Sequence, residues 1–295
     1  MRYRSRPSGM KQAHDPELAS FVGLLKQEGI VPHKRLGQVF LFRRFIADEM
    51  VRLAGISQGD VVVEIGTGLG ILTFPLAESG ARIIGLEYDS ALADRLKRIM
   101  QYPTVDIIRA DALNYDYQGL YERYRIKLKI LGNLPYYLTS PLIFRLLELR
   151  SSIAQLVLMM QKEVAERIAA EPGTRSYGTI SIFAQLYCQV SKHLSVTNDY
   201  FYPRPAVDSE VVGFALRSTP LIPIADEQAF AKLVRVSFAQ RRKTLLNALK
   251  ASDYFSRGKE RIVAALESTG IDPQRRPETV SIDEYGRLCA AIFSD

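Results

Sequence analysis

A chain of 295 residues, 47% hydrophobic and 24% charged, has room for one large folded domain and a smaller one, and its composition excludes a disordered polypeptide. A formal net charge of +7 favours a polyanionic partner, because each Lys or Arg beside a phosphate releases condensed counterions. The two cysteines, Cys188 and Cys289, stand outside any CxxC or Cys/His cluster, and no apolar run approaches the roughly 18–20 residues of a membrane span, so neither a metal site nor a membrane partner is expected.

The chain opens on a basic stretch, MRYRSRPSGMKQ, that lacks the apolar core of a secretory signal; with the scarce cysteines this sets the expectation of a cytoplasmic protein. Asp15-Pro16-Glu17 then supplies an N-cap, a first-turn proline and an acid. Leu18, Phe21, Val22 and Leu25 recur at helical spacing, which predicts a short helix before Gly29. A second amphipathic pattern runs from Phe45 to Leu53. Beyond it, the short apolar runs Val61–Ile65, Ile83–Leu86, Val105–Ile108, Leu128–Leu131 and Leu156–Met160 alternate with helical stretches around Thr73–Ser79, Leu92–Met100 and Leu142–Leu149. Strands buried on both faces and separated by helices predict a doubly wound parallel sheet, an α/β fold. Leu194–Thr197 and Val211–Leu216, joined by a proline-rich loop, are expected to close the sheet as a hairpin-like edge. Thr219-Pro220 and Pro223 mark a linker, after which the pattern is helical, with a capping box at Ser281 and Glu284. The resulting division is a basic arm and short helix over 1–30, an α/β domain over 31–217 and a helical domain over 218–295.

Directly after the first strand of the sheet, Glu64-Ile65-Gly66-Thr67-Gly68-Leu69-Gly70 forms a glycine turn in which the backbone can approach a ligand. The dinucleotide fingerprint GxGxxG needs glycine at position 71, where this chain has Ile71. The ExGxGxG spacing, with Glu64 two residues before Gly66, suits instead a cofactor without a pyrophosphate, whose ammonium and carboxylate need polar and backbone partners. Glu87 ends the second strand, where a carboxylate can accept both hydroxyls of a ribose, and Asp111, followed by Ala112, ends the third, placed to accept from an adenine amino group. Each acid alone reads as a solvated loop carboxylate; three at successive strand ends read as a binding edge.

The fourth strand leads into Asn133-Leu134-Pro135-Tyr136. An adenine amino nitrogen is a poor nucleophile because its lone pair is delocalised into the ring. A side-chain amide oxygen on Asn133 and the carbonyl of Leu134 can accept both amino hydrogens, pulling the nitrogen toward tetrahedral geometry. Pro135 stiffens the loop, and Tyr136 offers a face on which a flipped base can stack.

With these residues in view, the sequence resembles the ribosomal RNA adenine dimethyltransferase family, which includes the bacterial small-subunit dimethyladenosine transferases. The likeness spans about His33 to Leu288 and rests on Lys34-Arg35-Leu36-Gly37-Gln38-Val39-Phe40-Leu41, the Glu64–Gly70 turn, Asn133-Leu134-Pro135-Tyr136, Met160-Gln161-Lys162-Glu163-Val164-Ala165, Tyr177-Gly178-Thr179-Ile180-Ser181, the segment from Phe201 to Ser209, and Arg241-Arg242-Lys243-Thr244-Leu245. It implies a Rossmann-like S-adenosylmethionine-dependent methyltransferase domain with a small C-terminal helical domain. Gln38 and Leu41 are implied to close the cofactor pocket, and Gly66, Gly68, Glu87, Asp111 and Asn133 to contact S-adenosylmethionine. Tyr136 and Phe201 are implied to sandwich the target adenine. The implied partner is ribosomal RNA in a pre-ribosomal small subunit, met by a monomer. The chain departs from the family at Val39 and Tyr137, both commonly Asn there.

Basic residues complete the expectation: Arg241, Arg242 and Lys243, with no acid beside them in sequence, for the RNA backbone in the helical domain, and Lys34, Arg35, Arg43 and Arg44 near the cofactor mouth. Two other functions fit parts of the pattern: a large-subunit rRNA adenine methyltransferase of the macrolide-resistance type, and a non-catalytic RNA-binding or ribosome-assembly factor. Tyr177-Gly178 and Phe201–Ser209 favour the small-subunit type by resemblance, and the intact Glu87, Asp111 and Asn133–Tyr136 argue against lost catalysis. An NAD-dependent oxidoreductase is opposed by Ile71.

Overall fold

The computed structural model describes residues 15–252 and 259–293. The basic stretch before Asp15 lies outside them. Helix α1 (Pro16–Gln27) starts where Asp15 accepts from the amides of Glu17 and Leu18, the cap read from the sequence. It is docked rather than free. Arg43 pairs with both Asp15 and Glu17, the Phe21 ring lies 5.6 Å from that of Phe42, and Glu28, just past the helix, accepts from Arg95 at 2.8 Å.

A single 3-10 turn over Lys34–Leu36 leads into β1 (Phe40–Leu41) and α2 (Arg44–Leu53). The sheet is then laid down by β2 (Val61–Ile65), α3 (Thr73–Glu78), β3 (Arg82–Glu87), α4 (Ser90–Ile99), β4 (Val105–Arg109), α5 (Tyr117–Tyr124), β5 (Leu128–Asn133), α6 (Thr139–Glu148) and β6 (Ile153–Gln161). These five strands are parallel, in the order β4-β3-β2-β5-β6. Every residue of β2 is buried, as a strand with helices on both faces requires. The chain winds outward from β2 in one direction and from β5 in the other, so the strand order reverses between them. At such a reversal the crevice beyond the C-terminal strand ends stands open to a ligand.

Two helices, α7 (Lys162–Ile168) and α8 (Thr179–Tyr187), precede β7 (Cys188–Val196), the two-residue β8 (Phe201–Tyr202) and β9 (Ser209–Leu216). The last pair departs from expectation. Strand β7 begins at Cys188, six residues before the predicted start, and β9 is inserted antiparallel between β6 and β7 rather than at the edge. The reason is solvation: β7 is the edge strand, so Gln189, Lys192 and His193 face water and leave no apolar run to read. The apolar β9 is the strand with neighbours on both sides.

Helices α9 (Glu227–Ala239), α10 (Leu245–Lys250), α11 (Lys259–Ser268) and α12 (Ile282–Phe293) follow. The capping box is present: Ser281 N–H donates to Glu284 Oε2 at 2.8 Å, and Glu284 N–H donates to Ser281 Oγ at 3.2 Å. Phe230 of α9 meets Phe183 of α8 edge to face at 6.2 Å, and Phe238 meets Tyr177 at 6.4 Å. One apolar core therefore runs from the sheet into the C-terminal helices across residue 217.

Candidate active site

A cavity of about 280 Å³ opens at the C-terminal edge of the sheet, on the reversal between β2 and β5. The ends of β2, β3, β4 and β5 supply Glu64, Gly66, Gly68, Glu87, Asp111, Ala112 and Asn133, and the loop after β5 adds Leu134, Pro135 and Tyr136. Gln38 and Leu41 come from the segment around β1, and Phe201 from β8. The structure thus brings together every residue expected to hold a cofactor or a target base. Arg241, Arg242 and Lys243 are not among the residues that line this cavity.

The glycine turn is shaped by close approach. At Gly68 the backbone takes φ 54°, and its N–H donates to Glu87 Oε2 at 2.8 Å, linking the turn to the end of β3. Gly70, at φ 92°, has no room for a side chain: a Cβ there would stand 2.7 Å from a methyl carbon of Leu96.

Among the acids, Glu87 is buried with its other oxygen accepting from the Asp89 amide at 2.9 Å. Burial pushes its carboxyl up, against the opposing effect of those two amides. Asp111 accepts from the Leu113 amide and from Asn114 Nδ2 at 2.9 and 2.8 Å, which fixes the carboxylate at the pocket wall. Glu64 is deepest. It is fully enclosed, and burial, with the Glu87 charge adding to it, pushes it up to about 8, so it is predominantly protonated at neutral pH. The Thr73 hydroxyl faces it without reaching hydrogen-bonding geometry, and Glu64 Oε2 and Thr67 Oγ1 are buried with no partner in the protein. Unsatisfied buried polar atoms on a cavity wall are what a polar ligand group completes. They fit a polar, ammonium-bearing end of S-adenosylmethionine.

At the end of the neighbouring strand β5, Asn133 Nδ2 donates to the Val39 carbonyl at 3.3 Å, which leaves Oδ1 as the acceptor on a side chain that lines the cavity. Position 39 meets Asn133 through its backbone carbonyl, a contact that does not depend on its side chain. Tyr136 is half-buried; desolvation pushes its phenol up and the Ser209 hydroxyl works against that shift. Phe201 is packed to 1% exposure while still forming part of the wall.

The segment over the cavity is held by contacts from elsewhere in the chain. Gln38 Oε1 accepts from the His33 amide at 2.8 Å, and Gln38 Nε2 donates to Asp89 Oδ2 at 2.9 Å. Strand β1 pairs with β8, setting Leu41 opposite Phe201. Asp89, which caps α4, was not singled out in the sequence; an Asp followed by Ser90-Ala91-Leu92 is the helix-start signal that marks it. The Val39 carbonyl carries no sequence signal at all.

Part of the expected basic surface is neutralised. Arg43 is taken up by Asp15 and Glu17, and Arg44 by Asp48 and Glu78, at 2.7 and 2.6 Å. Arg241 donates to the Arg175 carbonyl and lies 3.9 Å from Glu278, so an acid does stand beside the triplet, brought there from distant sequence. Lys34, Arg35, Arg242 and Lys243 are exposed. Among the described residues there is no metal-binding cluster and no helix long and apolar enough to cross a membrane.

A glycine turn, strand-end acids and a cavity at the strand reversal define a Rossmann-like methyltransferase, a class that takes its methyl group from S-adenosylmethionine. The profile of the ribosomal RNA adenine dimethylase family matches residues 31–292, and the chain belongs to that family. It is 41% identical over 279 residues to the ribosomal RNA small subunit methyltransferase A of Pelotomaculum thermopropionicum, covering 92% of this chain and 94% of the relative. With the protein of the same name from Syntrophus aciditrophicus it shares 40% identity over 271 residues, 91% of this chain and 97% of that one. Among solved structures, a dimethyladenosine transferase from Plasmodium falciparum superposes with a TM-score of 0.71 at 26% identity, over 84% of this chain and 95% of that one.

Proposed function

We propose that the protein methylates the N6 amino group of adenine in small-subunit ribosomal RNA, adding two methyl groups to each of two adjacent adenosines, and that it acts as a cytoplasmic monomer on a pre-ribosomal particle. One observation carries the chemical part of this reading: Asn133, its amide nitrogen engaged by the Val39 carbonyl, lines the cavity beside Gly66 of the glycine turn. When bound, S-adenosylmethionine supplies an electron-poor methyl group on a sulfonium sulfur. The residues of this chain do the rest. Gly66, Gly68, Glu64, Glu87, Asp111 and Ala112 hold the donor, with Gln38 and Leu41 closing over it. Asn133 Oδ1 and the Leu134 carbonyl accept the two amino hydrogens of the base, and Pro135 keeps the loop stiff. Tyr136 and Phe201 supply its stacking faces. No side chain is needed as a dedicated base, because the nitrogen becomes acidic only once methylated and water can then take its proton.

The small-subunit reading is favoured over the large-subunit, macrolide-resistance type by the names of the relatives that match nearly the whole chain. Exposed Lys34, Arg35, Arg242 and Lys243, together with Arg241, are assigned to the RNA backbone, which they orient without reading sequence. Residues 218–295 are proposed as the ribosome-facing unit. The test is mass spectrometry of nucleosides after purified protein is incubated with immature small and large subunits. Dimethylated adenosine in the small-subunit RNA alone is the expected result. Methylation confined to large-subunit RNA, or none on either, would overturn it.

A further inference from the structure

Tyr137 stands apart from the residues assigned above. It lines the mouth of the cavity, yet 61% of its surface is exposed. Its ring is packed against the 3-10 turn that leads into the covering segment: a side chain begun at Gly37 would start 3.5 Å from a Tyr137 ring carbon. Desolvation, and after it the charges of Asp111, Tyr88 and Glu87, which line the same cavity, push its phenol up. The ring, the covering segment and the two acids assigned to the adenosine end of the cofactor thus line one cavity. Elsewhere Phe40 and Leu41 anchor the end of that segment in the core, and Gly37–Val39 is held by Gln38 to His33 and Asp89 and by the Val39 carbonyl to Asn133.

We infer that Tyr137 gates the cofactor site: its flat ring props the Gly37–Leu41 segment over the cavity and sets how long spent cofactor stays between successive methyl transfers. The inference rests on the cofactor reading of this cavity. Two methyl groups on one nitrogen consume two cofactor molecules, so the first product, S-adenosylhomocysteine, must leave and a fresh donor enter before the second transfer. A ring that slows this exchange gives the singly methylated RNA time to dissociate. Tyr137 is thus a positioning residue that governs the ratio of mono- to dimethylated adenine.

The experiment measures release of labelled S-adenosylhomocysteine from the full chain by rapid filtration, and then the product ratio with enzyme limiting. Tyr137→Ala should release the ligand roughly tenfold faster, the scale of one lost aromatic face. It should also raise KM for S-adenosylmethionine more than it lowers kcat, and shift product toward the dimethylated base. Tyr137→Phe keeps the ring and should restore slow release. If Tyr137→Ala does not fold, Tyr137→Asn, which removes the ring but keeps a polar group at this exposed position, is measured in the same way. Unchanged release from a folded ring-less variant, or release from Tyr137→Phe as fast as from Tyr137→Ala, would overturn the gate. Failure of the wild-type protein to bind S-adenosylhomocysteine would instead remove the cofactor reading beneath it, so the two failures are distinguishable.

Discussion

The two walls of the cavity are built by different means. The wall of Glu64, the glycine turn, Glu87 and Asp111 comes from the ends of three adjacent parallel strands, so the sheet that forms the core also sets the spacing of its ligands. The rest of the lining joins Asn133–Tyr136 at the end of β5 to Phe201 and to the segment around β1, held by a two-residue pairing, by Gln38 to His33 and Asp89, by Asn133 to the Val39 carbonyl and by the burial of Leu41 and Phe201. A binding wall made of strand ends is as rigid as its sheet. A wall gathered from separate segments depends on the contacts between them, and single substitutions there should reach the chemistry directly.

The largest expected effect tests the gathered wall. Asn133→Ala removes an acceptor whose hydrogen bond strengthens as the amino nitrogen becomes tetrahedral, and kcat should fall by about 10²-fold or more while particle binding changes little. On the strand-end wall, Glu87→Ala should weaken cofactor binding by about 1.5–3 kcal/mol, the scale of charge-assisted hydrogen bonds, as read by calorimetry. Unchanged affinity in a folded variant would break the comparison at its firmer side. Tyr136→Ala gives up a stacking face worth about 1–3 kcal/mol and should slow transfer, whereas Tyr136→Phe keeps the face and should stay close to wild type.

The acids sharpen the comparison through pH. Glu64 titrates near 8 in the folded protein against an ordinary 4.5, so between those values the folded form holds a proton that the unfolded chain releases, and stability falls as pH rises through this window. Glu284, bound by Arg275 beneath α12, is held down to about 2, so its contribution is complete above about 4.5 and is lost as pH falls toward 2. Thermal unfolding from pH 5 to 8 should therefore flatten in Glu64→Gln and keep its slope in Glu284→Gln. A slope unchanged in Glu64→Gln would mean that the floor of the cavity is charged. The smallest effect concerns RNA. Replacing Arg241, Arg242 and Lys243 together by Ala should lower the salt dependence of particle binding without altering cofactor affinity, and with Arg241 beside Glu278 the reduction should be nearer two phosphate contacts than three.

The strand-end wall could be read from the sequence because its signals are local. Val61–Ile65 is apolar but for Glu64, its glycines follow at once, and Glu87 and Asp111 follow apolar runs of their own. The NLPY loop was legible for the same reason. What escaped was whatever depends on a partner far along the chain: the pairing of Phe40-Leu41 with Phe201-Tyr202, the pairing of Arg43 with Asp15 and Glu17 and of Arg44 with Glu78, and Glu278 beside Arg241. Edge strand β7 was half missed because a solvated edge carries Gln, Lys and His where an inner strand carries Val. Helix α8, apolar on almost every side, shows no amphipathic stripe because it is covered by the sheet, α6 and α9.

The central claim, that one wall holds the donor and the other holds the base, is tested most directly by measuring two quantities on the same two variants. These are S-adenosylhomocysteine affinity and the single-turnover rate of methyl transfer to a pre-ribosomal small subunit at saturating cofactor. Glu87→Ala should lose affinity and recover most of its transfer rate at saturation, while Asn133→Ala should keep most of its affinity and lose about 10²-fold in transfer. Equal losses of both quantities in both variants would contradict the division of the cavity into a donor wall and a base wall.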